Sequence, residues 1–155
     1  GLGTSFHYDS IFGTVLNRFL AQAAVGEPLT VYGSGTQTRG FLNIRDTLAC
    51  VELALENPAQ EGEFRVFNQF TQQFSVIGLA SIVQQQTGCE IQHIPNPRVE
   101  DEEHYYNAKH TGLEDLGLKP NLLTPEVLGA MYKAVNKHRK NIHKDRLIPT
   151  VKWRD

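Results

Sequence analysis

The sequence predicts a mixed α/β fold, α+β in its layering, and three observations carry that prediction. Apolar residues recur at spacings of three and four in several stretches that are bounded by cap and stop signals. Between them stand short β-type runs, each flanked by glycine, asparagine or proline. Helical and extended patterns follow one another without repeats, low-complexity tracts or an obvious linker. Elements in that order are expected to layer around one core.

Residues 9–25 read as a helix. Ile11, Phe12, Val15, Leu16, Phe19, Leu20 and Ala23 form its apolar stripe, Asp9 or Ser10 its cap, and Gly26 with Pro28 its stop. Leu29–Tyr32 and residues 40–44 read as strands on either side of a Gly/Ser/Thr loop. A second helix is expected over residues 47–56, with Asp46 as its cap and Asn57-Pro58 as its stop. Residues 64–68 read as a short buried strand. Ser75 is placed to cap a third helix that runs to about Thr87 and stops at Gly88. Another strand is expected at 90–94, followed by the irregular Pro95-Asn-Pro-Arg98. Residues 107–115 are weakly helical and end at Gly117. Thr124-Pro125-Glu126 opens the last helix, with proline at the first helical position and Val127, Leu128, Met131, Tyr132 and Val135 as its buried stripe.

Composition narrows the function classes. The 155 residues are 40% apolar and 21% charged, the balance of an ordinary globular chain. With 15 basic and 17 acidic residues, the net charge of −2 gives no electrostatic footprint for nucleic acid or a membrane surface. The local exception, Lys137-His-Arg-Lys140 continuing to Lys144 and Arg146, reads as a solvated helix end. Cys50 and Cys89 have no metal-type spacing and are expected to be reduced thiols in a cytoplasm-like compartment. No apolar run approaches the roughly 18 residues of a membrane span, and no signal or transit peptide is visible. The start, Gly1-Leu-Gly-Thr-Ser, lacks Met, so a piece cut from a longer chain is expected.

The chemistry concentrates in residues 29–46. A glycine loop, Gly33-x-Gly35, leads to Arg39 between two β-type runs. Backbone N–H groups of such a loop can approach phosphate closely, and a guanidinium pairs bidentately with its oxygens. A dinucleotide fingerprint would open a helix directly after a strand, whereas this loop leads into a second strand. A plain β-hairpin loop competes with a phosphate-side loop. Arg39 is the leading candidate, and Arg98, set beside two prolines, is the second. Arg18 lies next to the apolar stripe of the first helix and reads as readily as an exposed helix arginine. Tyr105-x-x-x-Lys109 has the spacing at which lysine can lower a tyrosine pKa for base catalysis. With no glycine-rich nucleotide site before it, the pair reads as structural. Glu100-Asp-Glu-Glu103 with His104 reads as a solvated acidic turn, because consecutive side chains point apart and rarely converge on one ion. The six histidines show no triad-like arrangement.

The pattern Pro28-Leu-Thr-Val-Tyr-Gly-x-Gly-x-Gln-Thr-Arg39, followed by Ile44-Arg-Asp46, resembles the nucleotide-sugar epimerase/dehydratase group of extended short-chain dehydrogenases. The resemblance covers nearly the whole chain. Tyr8-Asp9, the run 12–19, the run 62–70, Asn96-Pro-Arg-Val-Glu100, the run 103–110 and Pro149-x-Val-x-Trp153 narrow it to one branch. That branch makes a sulfonated UDP-sugar from UDP-glucose and sulfite with tightly held NAD. The resemblance implies the C-terminal substrate-binding part of such an enzyme, with the Rossmann core largely absent. The backbone of 30–32, including Val31 and Tyr32, would face the nucleoside base. Arg39, with Gln37 and Thr38, would reach the ribose or diphosphate. Arg98, Val99 and Glu100, in a segment running to Lys109 and Leu116-Gly117, would close over the diphosphate, and Arg18 joins the substrate contacts. The family's catalytic Thr, Tyr and Lys and its nucleotide-binding glycines precede this region, so the chain alone is expected to hold neither catalytic nor cofactor residues. A homo-oligomer in cyanobacterial cytoplasm or plastid stroma is implied. The alternatives are another NAD-dependent UDP-sugar epimerase, dehydratase or decarboxylase, and a non-catalytic nucleotide-binding module.

Overall fold

A computed structural model of the chain describes residues 6–8, 13–96 and 109–148. Helix α1, Val15–Val25, starts at Thr14, whose hydroxyl accepts from the Asn17 N–H at 3.4 Å. It ends where Gly26 turns into the left-handed region at φ 74°. The helix therefore begins later than the apolar spacing implied, and the candidate caps Asp9 and Ser10 lie outside the described residues. Its stripe of Leu16, Phe19, Leu20 and Ala23 is buried.

Strand β1, Leu29–Tyr32, and strand β2, Thr38–Phe41, follow. β2 lies earlier than the expected 40–44, because helix α2, Ile44–Glu56, takes up the end of that run. Its cap is Asn43, which has the extended backbone of an N-cap and accepts from the Arg45 N–H at 3.0 Å. Asp46 is not the cap. It sits inside the first turn, fully buried, and accepts from Asn121 through the backbone N–H at 2.9 Å and through Nδ2 at 2.6 Å. Asn57 ends α2 as expected.

Residues 64–68 do not form a buried strand. Phe64 is 90% exposed and Val66 71%, and no strand pairs with them among the described residues. The partner of β2 is instead β3, Gln72–Ser75, antiparallel with Arg39 opposite Phe74. Helix α3, Val76–Thr87, is capped by Ser75 and closed by Gly88, as the sequence predicts. Strand β4, Ile91–Ile94, pairs in parallel with β1, Leu29 opposite Ile91. A short helix α4, Gly112–Asp115, precedes the proline-started α5, Pro125–Lys137, capped by Thr124. Two 3₁₀ turns, Arg139–Asn141 and Lys144–Arg146, follow it. Lys137, His138, Arg139 and Lys140 are exposed, as a solvated helix end should be.

Helices α1, α3 and α5 pack on one another, and α1 and α3 pack on β1. Phe19, Leu20, Leu29, Val31, Leu79, Val83 and Leu128 fill the space between them. Each such side chain contributes about 1.5–3 kcal/mol by leaving water. A smaller cluster of Cys50, Leu113 and Leu118 joins α2 to α4, with Phe67 packed against it. Among the described residues no helix is long and apolar enough to cross a membrane.

Candidate functional site

The consecutive strands β1 and β2 belong to different two-stranded sheets, so the glycine loop between them is not a hairpin loop. It turns the chain from one sheet to the other. Gly35 has φ 74°, and a Cβ there would overlap Val31 and lie 3.1 Å from the Ile77 Cβ. Only glycine lets the loop fold onto the strand it has just left. Its carbonyls then serve the start of α3: Gly35 O accepts from the Ile77 N–H at 2.9 Å, and Gln37 O from the Val76 N–H at 3.2 Å. The Ser75 hydroxyl takes the Gly78 N–H at 3.0 Å. These are the orphan donors of a helix N-terminus, and the chain satisfies them itself.

That geometry decides what the loop can hold. A dinucleotide pyrophosphate needs an open glycine turn and free N–H groups at a helix start. Here Val31 and Ile77 fill the space at Gly35 and the first N–H groups of α3 are engaged. This loop therefore does not fit the NAD pyrophosphate.

The open space lies on the far side of β2. A Cβ at Gly40 would come within 2.8 Å of the Phe70 ring, so the bare glycine admits Phe70 against the strand. Arg39, Gly40, Phe67, Asn68, Gln69 and Phe70 line a cavity of about 520 Å³. Arg39 is half-buried there, and its guanidinium donates to Thr38 O at 3.0 Å. The opposite wall is held by Asn68, whose Nδ2 donates to Lys109 O at 2.8 Å. The rings of Phe70 and His110 lie 4.3 Å apart. The chain thus leaves β4 beside the glycine loop, where Asn96 Cβ stands 3.8 Å from a Cβ placed on Gly33, and re-emerges at Lys109 next to the Arg39 cavity.

A second polar constellation joins α1 to β1. Gln22 Nε2 donates to the Thr30 hydroxyl at 2.8 Å, and the Thr30 N–H donates to Gln22 Oε1 at 3.2 Å. Arg18 donates to Thr30 O at 2.9 Å and lies 4.3 Å from the centroid of the Tyr32 ring. Arg18 is half-buried against strand and ring, so the exposed-arginine reading does not hold. Gln22 went unmarked in the sequence, although a glutamine flanked by Ala21 and Ala23 on a core helix is the signal that could have found it.

Of the other sequence candidates, Val31 has its side chain in the core and its backbone paired toward β4, which leaves it no group to offer a ligand. Gln37 and Thr38 are half-buried at the approach to Arg39 but do not line its cavity. Tyr32 and Arg18 do not line it either. Arg98, Val99 and Glu100 lie outside the described residues, together with the acidic run to His104 and with Tyr105. The cavity wall at 67–70 was missed as a site element, because its first two residues, Phe67 and Asn68, read as the end of a buried strand. Among the described residues no group of three His, Cys, Asp or Glu is placed to hold a metal ion. Both cysteines are free, and burial, with Asp46 adding, pushes the Cys50 thiol up.

Residues 2–68 match the NAD dependent epimerase/dehydratase family. Over 96% of its length the chain is 55% identical to the chloroplastic UDP-sulfoquinovose synthase of Spinacia oleracea. Over 99% it aligns at 41% identity with the UDP-sulfoquinovose synthase of Sulfolobus acidocaldarius. UDP-glucuronic acid decarboxylase 4 of Arabidopsis thaliana is 32% identical over 78% of this chain. The chain spans 32%, 41% and 27% of the lengths of these three relatives. Among solved structures, the UDP-glucuronic acid 4-epimerase of Bacillus cereus, in complex with UDP-glucuronic acid and NAD, superposes with a TM-score of 0.65 at 24% identity. That match covers 81% of this chain and 40% of the epimerase. Pal from Bacillus thuringiensis gives 0.70 at 21% identity over 86% of this chain and 42% of that one. The fold is that of the epimerase-type short-chain dehydrogenases, represented by a part of it.

Proposed function

We propose that this chain, a member of the NAD dependent epimerase/dehydratase family, is the C-terminal UDP-sugar-binding part of a UDP-sulfoquinovose synthase. The observation that carries the proposal is the 55% identity over 96% of the chain to the spinach enzyme, against 32% over 78% for a decarboxylase. The full-length enzyme would join UDP-glucose and sulfite, with loss of water, to give the head-group donor of sulfolipid synthesis. NAD would supply reversible hydride removal at the sugar. The chloroplastic relative supports a plastid location, and a homo-oligomer is part of the same proposal.

Within this reading the chain supplies binding energy and orientation. Arg39, held half-buried at the mouth of its cavity, pairs with the ribose or diphosphate, and Gln37 and Thr38 support it. The nucleoside base lies against the backbone of β1. Thr30 is excluded from that role, because Gln22 and Arg18 already take its N–H and its carbonyl. Val31 turns its backbone toward β4, so Tyr32 is the residue proposed to meet the base. Arg98, Val99 and Glu100 complete the diphosphate site. They belong to the segment that starts beside the glycine loop and returns beside the Arg39 cavity.

Calorimetry of UDP-glucose binding to the full-length enzyme tests the assignment. Arg39→Ala should weaken binding by about 1.5–3 kcal/mol, the worth of a charge-assisted contact. Arg39→Lys should recover only part of it, because an ammonium lacks the planar fork. An unchanged dissociation constant in Arg39→Ala would overturn the placement of UDP.

A further inference from the structure

We infer that the end of α5 and the two 3₁₀ turns after it form a basic surface that docks the enzyme on an anionic lipid bilayer. The inference goes beyond the UDP-sugar reading and takes one premise from it, that the product is consumed in lipid synthesis.

Charge in this chain is balanced overall but segregated along the sequence. Lys133, Lys137, Arg139, Lys140, Lys144 and Arg146, six of the 15 Lys and Arg residues, stand in the stretch 133–146, where Asp145 is the only carboxylate. All six are exposed. Lys133 and Lys137 lie one turn apart on α5, so they share a face. The helix dipole accounts for Lys137, in the last turn of α5, but its effect fades within that turn. Arg139, Lys140 and Arg146 stand beyond it, on the 3₁₀ turns.

The fold holds this stretch in place. Its first 3₁₀ turn packs on α1. The His143 N–H donates to the Tyr8 hydroxyl at 2.9 Å, Lys144 pairs with Glu27 at 2.5 Å, and Leu147 is buried. Glu27 engages one of the six cations. Among the described residues no carboxylate pairs with Lys133, Lys137, Arg139, Lys140 or Arg146. Arg139 donates to Asn136 Oδ1 at 3.4 Å, a neutral partner that leaves its charge uncompensated.

The make-up of the surface selects its partner. A stable protein interface needs a core of buried aromatic or apolar side chains. Between residues 136 and 146 the one apolar side chain is Ile142, itself half-buried. A bilayer asks for no such core. Its negative surface potential attracts clustered Lys and Arg, each strengthening binding by about fivefold. Attachment of this kind is reversible and screened by salt. It holds the enzyme beside the membrane where a transfer to lipid draws on its product.

Co-sedimentation of the full-length enzyme with vesicles at low salt tests the inference. Vesicles of phosphatidylcholine with phosphatidylglycerol should bind the enzyme, vesicles of phosphatidylcholine alone should not, and raised salt should release it. Lys137→Gln with Lys140→Gln should weaken binding by about thirtyfold. Lys119→Gln, which removes an exposed charge elsewhere, should leave it unchanged. None of these residues lines the Arg39 cavity, so calorimetry should return the wild-type dissociation constant for UDP-glucose in both variants. A wild type that binds UDP-glucose but not anionic vesicles overturns the inference and leaves the UDP-sugar reading standing. Vesicle binding that the double variant retains overturns it as well. Capture by polyglutamate without vesicle binding, lost in the double variant, assigns the surface to an acidic protein and overturns the lipid assignment. A wild type that binds anionic vesicles through these residues but not UDP-glucose overturns the UDP-sugar reading alone.

Discussion

Gly35 shows how much one side chain's absence decides. At φ 74° and in contact with Val31 and Ile77, it lets the loop lie against α3, and that contact brings β2 alongside β3 with Arg39 facing the cavity. Gly35→Ala adds left-handed strain and an overlap with Val31, so it should destabilise the protein by about 1–3 kcal/mol. Thermal melting would register that loss, and an unchanged midpoint would contradict the packing described. Cys50 carries a prediction of a different kind. Its thiol is buried and pushed up, while Cys89 is half-buried. A raised thiol pKa means less thiolate at any given pH, and the thiolate is the nucleophile. Native-state alkylation at pH 8 should therefore modify Cys89 well before Cys50, and denaturant should abolish the difference.

At the level of elements, helix ends were legible where the signal is local and unique. Ser75 with Gly88, and Thr124 with Pro125, mark α3 and α5 because cap, proline and glycine act within a turn of where they stand. The start of α2 was misread because two cap-type residues, Asn43 and Asp46, lie one turn apart. The choice between them depends on Asn121, 75 residues beyond Asp46, which draws the carboxylate inward. β3 was missed because Gln72-Gln-Phe-Ser75 has no apolar alternation; it is a strand through its pairing with β2. The reverse error at 64–68 has the same origin, since an alternating run reads as a strand whether or not a partner lies beside it. The site followed this division. Arg39 could be read from its neighbours, whereas Gln22 and the wall at 67–70 act through residues remote in sequence. The roles of Asn43 and Asp46 separate in mutants. Asn43→Ala should cost about 1 kcal/mol as a lost cap. Asp46→Ala, which removes a fully buried carboxylate and the two hydrogen bonds it accepts from the exposed Asn121, should cost about 1–3 kcal/mol in chemical denaturation.

At the scale of the whole molecule, α2 presents an exposed apolar face among the described residues. Ile44, Leu48, Val51 and Leu55 recur along α2 at the spacing of a single helix face, and all are exposed, Leu55 at 75%. Phe64 and Val66 add to the exposed apolar surface. Such a surface favours association, so the chain by itself should self-associate in light scattering. Leu48→Lys with Leu55→Lys should shift it toward monomer. The central claim, that this chain serves a UDP-sulfoquinovose synthase, is tested most directly by the sulfite requirement of the full-length enzyme. With UDP-glucose and sulfite, mass spectrometry should detect a UDP-sugar heavier than UDP-glucose by one sulfite less one water, and without sulfite that product should be absent. Conversion of UDP-glucose to an epimer irrespective of sulfite, or decarboxylation of UDP-glucuronic acid, would contradict the account.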